Sequence, residues 1–190
     1  MRRVAVFGYA SLASPESASQ TIGRPVEFAG VARLQGWRRA WTLGREQAES
    51  EKTFARGDGS IPRFCLGLNV EPDPDAPAPN GVLIELSEAE LDRLDIREIR
   101  YDRMEVTGSI EGKGLPERIV TYSAKPFHFA PEPPEDSIIL ATYAAAVDRG
   151  FESLGPGELD HDLATTPYPV DRHEASLVID NIPEGNPRAW

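Results

Sequence analysis

Sulfhydryl chemistry is nearly absent from this chain, which has one cysteine, Cys65, among its 190 residues. A single thiol cannot close an internal disulfide. Cys65 also sits within the apolar run FCLGLNV, where a core residue is expected rather than a nucleophile. Histidine is scarce too. His128, His161 and His173 show no i, i+4 pairing and no cysteine partner, so a zinc site is not expected. No apolar run is long enough to span a bilayer, and no membrane role is expected. Positive charge is in deficit: 20 Lys and Arg stand against 31 Asp and Glu, for a net charge of −11. Nucleic acid requires a basic surface, so no nucleic-acid partner is expected. The densest basic cluster is Arg33, Arg38, Arg39 and Arg45. It either pairs with the acidic surface or forms a local positive mouth for an anionic small molecule.

What is present suits one domain with a sizeable core: 40% apolar and 27% charged residues over this length. MRRVAVFGYASL begins like a short signal, but its apolar stretch stops at Tyr9. A buried first strand over residues 3–9 and a cytoplasmic location are the reading. Further strands are expected at 26–34, 64–70, 81–86, 101–110 and 117–124, with WRRAW extending or following the second. Residues 44–60 read as a long polar loop, and PDPDAPAPNG as a stiff turn. One helix starts at Ser87, where Ser87 and Glu90 form a capping box and Leu86 and Leu91 a hydrophobic staple. A second is expected over 136–150, with Ile139, Tyr143 and Val147 at i, i+4, i+8. Trp37, Trp41 and Trp190 read as packing residues, although Trp37 and Trp41 also suit a pocket mouth. Strands and helices do not alternate, which argues for an α+β fold or a small barrel and against a doubly wound sheet.

Two features carry chemistry. The first strand ends in Tyr9-Ala10-Ser11-Leu12, a small-residue turn able to present backbone N–H groups and a hydroxyl to an anion. Turn geometry alone explains such a sequence equally well. The loop is neither a dinucleotide fingerprint nor a phosphate loop. The second feature is Glu98. If the Ser87 helix persists that far, Leu91, Leu94 and Glu98 share a face at i, i+3, i+7. The leucines must face the core, so Glu98 faces inward. A carboxylate desolvated in that way suits a general base near neutral pH. The competing reading is a salt bridge from Glu98 to Arg97, Arg100 or Arg103.

In order along residues 3–155, these pieces resemble the γ-glutamylcyclotransferase-like superfamily. That superfamily includes γ-glutamylcyclotransferases, glutathione-specific cyclotransferases and plant avirulence-induced-gene (AIG2-like) proteins. The resemblance rests on four motifs: Tyr9-Ala10-Ser11-Leu12, Arg33-Leu34-Gln35-Gly36-Trp37-Arg38-Arg39, Leu94-Asp95-Ile96-Arg97-Glu98 with Tyr101, and the Tyr143–Gly150 segment with Leu154-Gly155. It implies an α+β fold, a small mixed β-barrel with flanking helices. Residues 1–155 would form that domain, and 156–190 an extension wrapped on the same domain. The implied reaction cyclises a γ-glutamyl group to 5-oxoproline and releases an amine or amino acid, without cofactor or metal. Glu98 would be the base. Tyr9, Ala10, Ser11 and Leu12 would hold the glutamyl group, and Tyr101 and Tyr143 would line the pocket as hydroxyl donors.

One position departs from the family pattern: Ala10 stands where the loop usually has glycine. A left-handed backbone there would cost alanine about 1 kcal/mol. Otherwise the methyl group narrows the pocket. The alternative function is a non-catalytic relative that binds a small carboxylated ligand or a protein partner. An open pocket joining Glu98 to the 9–12 loop would favour the enzyme. A Glu98 locked by an arginine, with the loop blocked by the Ala10 methyl, would favour the binder.

Overall fold

A computed structural model describes residues 3–184 and 186–187. Trp190 therefore lies outside the described residues. The chain opens with β1 (Val4–Gly8), a 3-10 turn at Ser11–Ala13 and α1 (Pro15–Ile22). It continues through β2 (Gly30–Arg33), β3 (Trp37–Glu46), β4 (Lys52–Arg56), β5 (Phe64–Pro72) and β6 (Asn80–Leu86). Next come α2 (Glu88–Arg97), β7 (Tyr101–Glu105), β8 (Arg118–Ala124), β9 (Ser137–Leu140) and α3 (Ala141–Ser153). The last elements are α4 (Glu158–Thr165), β10 (Arg172–His173) and β11 (Ala175–Asp180).

The strands form three sheets, ordered β2-β6-β1-β8-β7, β10-β9-β5-β3 and β11-β4. The expected α+β class is present. No closed barrel forms among the described residues: the mixed sheets keep their edges. β1 is central to the first sheet, antiparallel to β6 and parallel to β8. All five of its residues are buried, which is why it reads as a continuous apolar run rather than an alternating one. The core between the two larger sheets gathers Phe7, Leu34, Trp37, Trp41, Leu68, Val70, Ile119 and Phe151. Trp37 and Trp41 are thus packing residues.

Several expectations are corrected. Residues 44–60 are not one loop. β3 runs to Glu46, and Lys52–Arg56 is a strand because β11 covers it, pairing Leu177 with Phe54. A helix at Pro15–Ile22 was not expected from its small polar residues. It is built by local signals: Ser14 caps it through the Ser17 N–H, Pro15 opens it, and Gly23 ends it at φ 86°. Residues 137–140 are a strand parallel to β5, so the helix expected from 136 begins at Ala141. β7 stops at Glu105, and a 3-10 turn follows at Thr107–Ser109. The tail after residue 155 carries α4, β10 and β11 rather than irregular chain alone. The capping box is present as expected, with Ser87 N–H donating to Glu90 Oε2 at 2.7 Å.

Candidate active site

α2 ends at Arg97, with Glu98 as its C-cap residue and its N–H donating to the Leu94 carbonyl. The last turn is therefore intact up to Glu98. Leu91 and Leu94 are fully buried, and the Glu98 side chain is 15% exposed, so the expected inward orientation holds. A cavity of about 50 Å³ joins Glu98 to the end of β1. Its walls include Tyr9, Ala10, Ser11, Leu12, Tyr101, Tyr122 and Tyr143. Every site residue expected from sequence lies on this wall. An adjoining cavity of about 100 Å³ shares Ser11, Glu98, Tyr101 and Tyr143 and extends past Leu43, Arg45, Cys65, Gly67 and Arg100.

The loop is held from behind. Arg39 Nη1 donates to the Tyr9 carbonyl at 3.1 Å and to the Asn80 carbonyl at 2.8 Å. The Tyr9 hydroxyl donates to the Tyr122 carbonyl at 2.7 Å. α3 presses on the other side, where a Cβ on Gly150 would lie 3.2 Å from the Ala13 and Ser14 backbone. Ala10 precedes the 3-10 turn at φ −137°, so no left-handed backbone is required there. Its methyl group instead forms part of the cavity wall. The N–H groups that open a 3-10 turn have no partner inside it, and here they stand beside the cavity.

Glu98 also has an arginine partner. Arg97 Nε lies 3.2 Å from Glu98 Oε1, so the ion-pair reading of the sequence holds as well. Arg97 is 3% exposed and ties three elements together. Its Nη2 donates to Ser11 Oγ at 2.8 Å and Ser17 Oγ at 3.4 Å, and its Nη1 donates to Thr21 Oγ1. A carboxylate accepts at about four lone-pair sites, so one guanidinium contact leaves acceptor capacity.

Tyr9, Tyr122 and Tyr143 are neutral hydroxyls at any ordinary pH. Burial pushes Tyr9 well above the usual phenol range, and the charge of Glu98 pushes it further. Burial likewise raises Tyr143, with Glu98 again adding. Tyr122 is raised by burial and by its hydrogen bond to Asp95 Oδ1 at 2.5 Å. Tyr101 was expected to be a donor. Its hydroxyl donates to the Leu68 carbonyl at 2.8 Å, so toward a ligand it offers lone pairs.

The arginine cluster divides between its two readings, and three of the four pair with carboxylates. Arg33 pairs with Glu158, Arg38 with Glu71, and Arg39 with Asp162 in the interior. Arg45 alone of the four lines the site, joined there by Arg97 and Arg100. Sequence reasoning missed Tyr122 and Arg100 as wall residues. Arg97 and Arg100 were expected only as possible ion-pair partners of Glu98, Arg97 also as part of the motif at 94–98. Period-two alternation in RIVTYSA was the available signal for Tyr122.

No protein-family model matches the chain, and no curated protein matches it in sequence. Solved structures do match in fold. An uncharacterised human protein superposes with a TM-score of 0.63 at 18% identity, over 92% of this chain and 94% of that one. A γ-glutamyl cyclotransferase superposes with a TM-score of 0.59 at 19% identity, over 90% of this chain and 94% of that one. YkqA of Bacillus subtilis gives 0.56 at 19% identity, over 84% of this chain but 52% of its own length. Across most of its length the chain therefore has the γ-glutamyl cyclotransferase-like fold.

Proposed function

We propose that this chain cyclises a γ-glutamyl group to 5-oxoproline and releases the attached amine or amino acid, with Glu98 as the base. The observation that supports this reading is the cavity walled by both the Glu98 carboxylate and the 9–12 loop. Glu98 takes a proton from the substrate α-ammonium. The amine nitrogen attacks the γ-carbonyl carbon, closing a five-membered ring. The carbonyl oxygen becomes an oxyanion beside the N–H groups of Ala10, Ser11 and Leu12. Collapse breaks the bond to the leaving nitrogen, which receives the proton from Glu98. Of the three ammonium protons one stays on the lactam nitrogen and two leave on the released amine. Nucleophile and electrophile are tethered, and such reactions reach effective molarities of about 10⁵–10⁸ M when well oriented. The chain's main tasks are to fold the glutamyl arm, move protons and stabilise the oxyanion. Tyr101 and Tyr143 line the same cavity, Tyr101 as an acceptor for the α-ammonium.

The Arg97–Glu98 pair favours a second reading, in which Glu98 is structural and the cavity binds a small carboxylated ligand without turnover. Glu98→Gln separates the two. The cyclisation reading expects loss of at least about 10²-fold in 5-oxoproline release, with the thermal midpoint little changed. Wild-type turnover by Glu98→Gln would overturn the assignment of the base. A wild-type protein that binds γ-glutamyl compounds but releases no 5-oxoproline would establish the second reading.

A further inference from the structure

The cavity beside Glu98 carries an unsatisfied cation on its far wall. Three guanidiniums line it. Arg97 is paired with Glu98, and Arg100 with Glu51 at 2.6 Å. Arg45 has no carboxylate partner among the described residues. Its Nε is buried without a hydrogen bond. The guanidinium lies over the Phe54 ring at 5.1 Å and beside the Cys65 thiol, a weak acceptor. A buried donor left unmade is costly, and a chain this acidic has abundant carboxylates to spend on it. That Arg45 is left open at a cavity wall calls for an anionic ligand group. Nε is buried away from the cavity, so the two Nη groups are the donors that would meet a carboxylate in bidentate geometry.

The surrounding wall limits what carries that carboxylate. Leu43, Leu66, Leu140 and Cys65 are apolar, and the cavity measures about 100 Å³. The wall beside Arg45 suits an apolar side chain.

Resting on the cyclisation reading above, we propose that Arg45 reads the α-carboxylate of the leaving part. The preferred substrates are then γ-glutamyl derivatives of apolar amino acids rather than of neutral alkylamines. Glu98 receives the α-ammonium where the two cavities join, and Arg45 receives the distal carboxylate in the second of them. Arg100, neutralised by Glu51, adds little to this recognition.

The test uses γ-glutamyl-L-alanine and γ-glutamylethylamide, which differ only by that carboxylate. Release of 5-oxoproline is measured for wild type and Arg45→Met, with a thermal melt of each protein. Wild type is expected to favour the alanine compound at least about tenfold in kcat/KM, mainly through KM. In Arg45→Met that ratio falls toward one, and Arg45→Lys recovers it in part. Equal use of both compounds by wild type overturns the proposal without recourse to any variant. So does an unchanged ratio in a folded Arg45→Met. If wild type releases 5-oxoproline from neither compound, the cyclisation reading has failed, and calorimetric binding of the same pair then decides the role of Arg45. Tighter binding of the alanine compound that Arg45→Met abolishes supports that role; equal binding or none overturns it.

Discussion

Arg39 is a cation whose side chain has no exposed surface, and its partners explain why it is tolerated there. It contacts the Asp162 carboxylate and donates to Thr166 Oγ1 at 3.0 Å and Asn80 Oδ1 at 2.8 Å. It also lies 4.7 Å above the Phe151 ring. Burial lowers Arg39 to about 10, while Asp162 opposes that fall. Burial in turn raises Asp162, against the pull of Arg39. Both shifts run toward the neutral forms, so for each partner burial outweighs the attraction of the pair. Removing one partner strands the other. Arg39→Met is expected to cost about 3–5 kcal/mol, and Arg39→Met with Asp162→Leu much less. Denaturant unfolding of the two variants checks this, and equal losses would show that the pair is not what holds α4. Because Arg39 also grips the Tyr9 carbonyl, the single variant should weaken turnover as well. The alternation in WRRAW puts Arg39 on the buried face of Trp37 and Trp41, but its partner was not legible, since Asp162 lies more than a hundred residues away.

The start of α2 is the element whose stability can be read most directly. Ser87 and Glu90 satisfy each other's backbone N–H groups, and Arg24 Nε adds a contact to Glu90 at 2.5 Å. The Arg24 hydrogen bond, followed by those from Ser87, holds the Glu90 carboxyl down to about 2 against an ordinary 4.5. A carboxyl depressed on folding contributes stability that is full above its unfolded value and is lost as pH falls toward its folded one. The contribution of Glu90 should therefore fade between pH 4.5 and about 2. Thermal midpoints across that range are expected to fall less steeply for Glu90→Gln than for wild type; parallel curves would refute the linkage. Ser87→Ala is expected to cost about 1 kcal/mol. This cap was legible because all its signals lie within four residues. β1 and α2 were legible for the same reason, and with them Glu98 and the 9–12 loop. β4 and β9 were not, since what makes them strands is pairing with β11 and β5. The open Arg45 was equally invisible, because a missing partner is a property of three-dimensional neighbours. α1 is the instructive failure: Ser14, Pro15 and Gly23 were all present as start and stop signals, but a single i, i+4 pair, Ala18 and Ile22, is all that marks its apolar face.

At the scale of the molecule, the question is whether residues 156–190 are an appendage or part of one folding unit. α4 supplies Asp162 and Thr166 to Arg39, and Glu158 to Arg33 and Asn80. Leu159 and Tyr168 pack on the main core, Tyr168 against Trp41 at 5.1 Å between ring centroids. β11 covers β4, whose Lys52, Thr53, Phe54 and Ala55 are buried. We propose that this segment completes the domain of residues 1–155. Cutting after residue 156 would leave the Arg39 guanidinium buried without its carboxylate, a defect of several kcal/mol in a fold stabilised by about 5–15 kcal/mol. The 1–156 fragment is therefore expected to lack a cooperative melt, whereas the full chain should unfold in a single transition by near- and far-ultraviolet circular dichroism. Cutting after residue 170 keeps α4 and removes only β10 and β11. That fragment is expected to fold with a lowered midpoint, since the Arg39 pair survives and the loss is confined to the cover over β4 and the β10 edge of β9. If the 1–156 fragment melts like the full chain, the segment is an appendage and the 9–12 loop owes nothing to it.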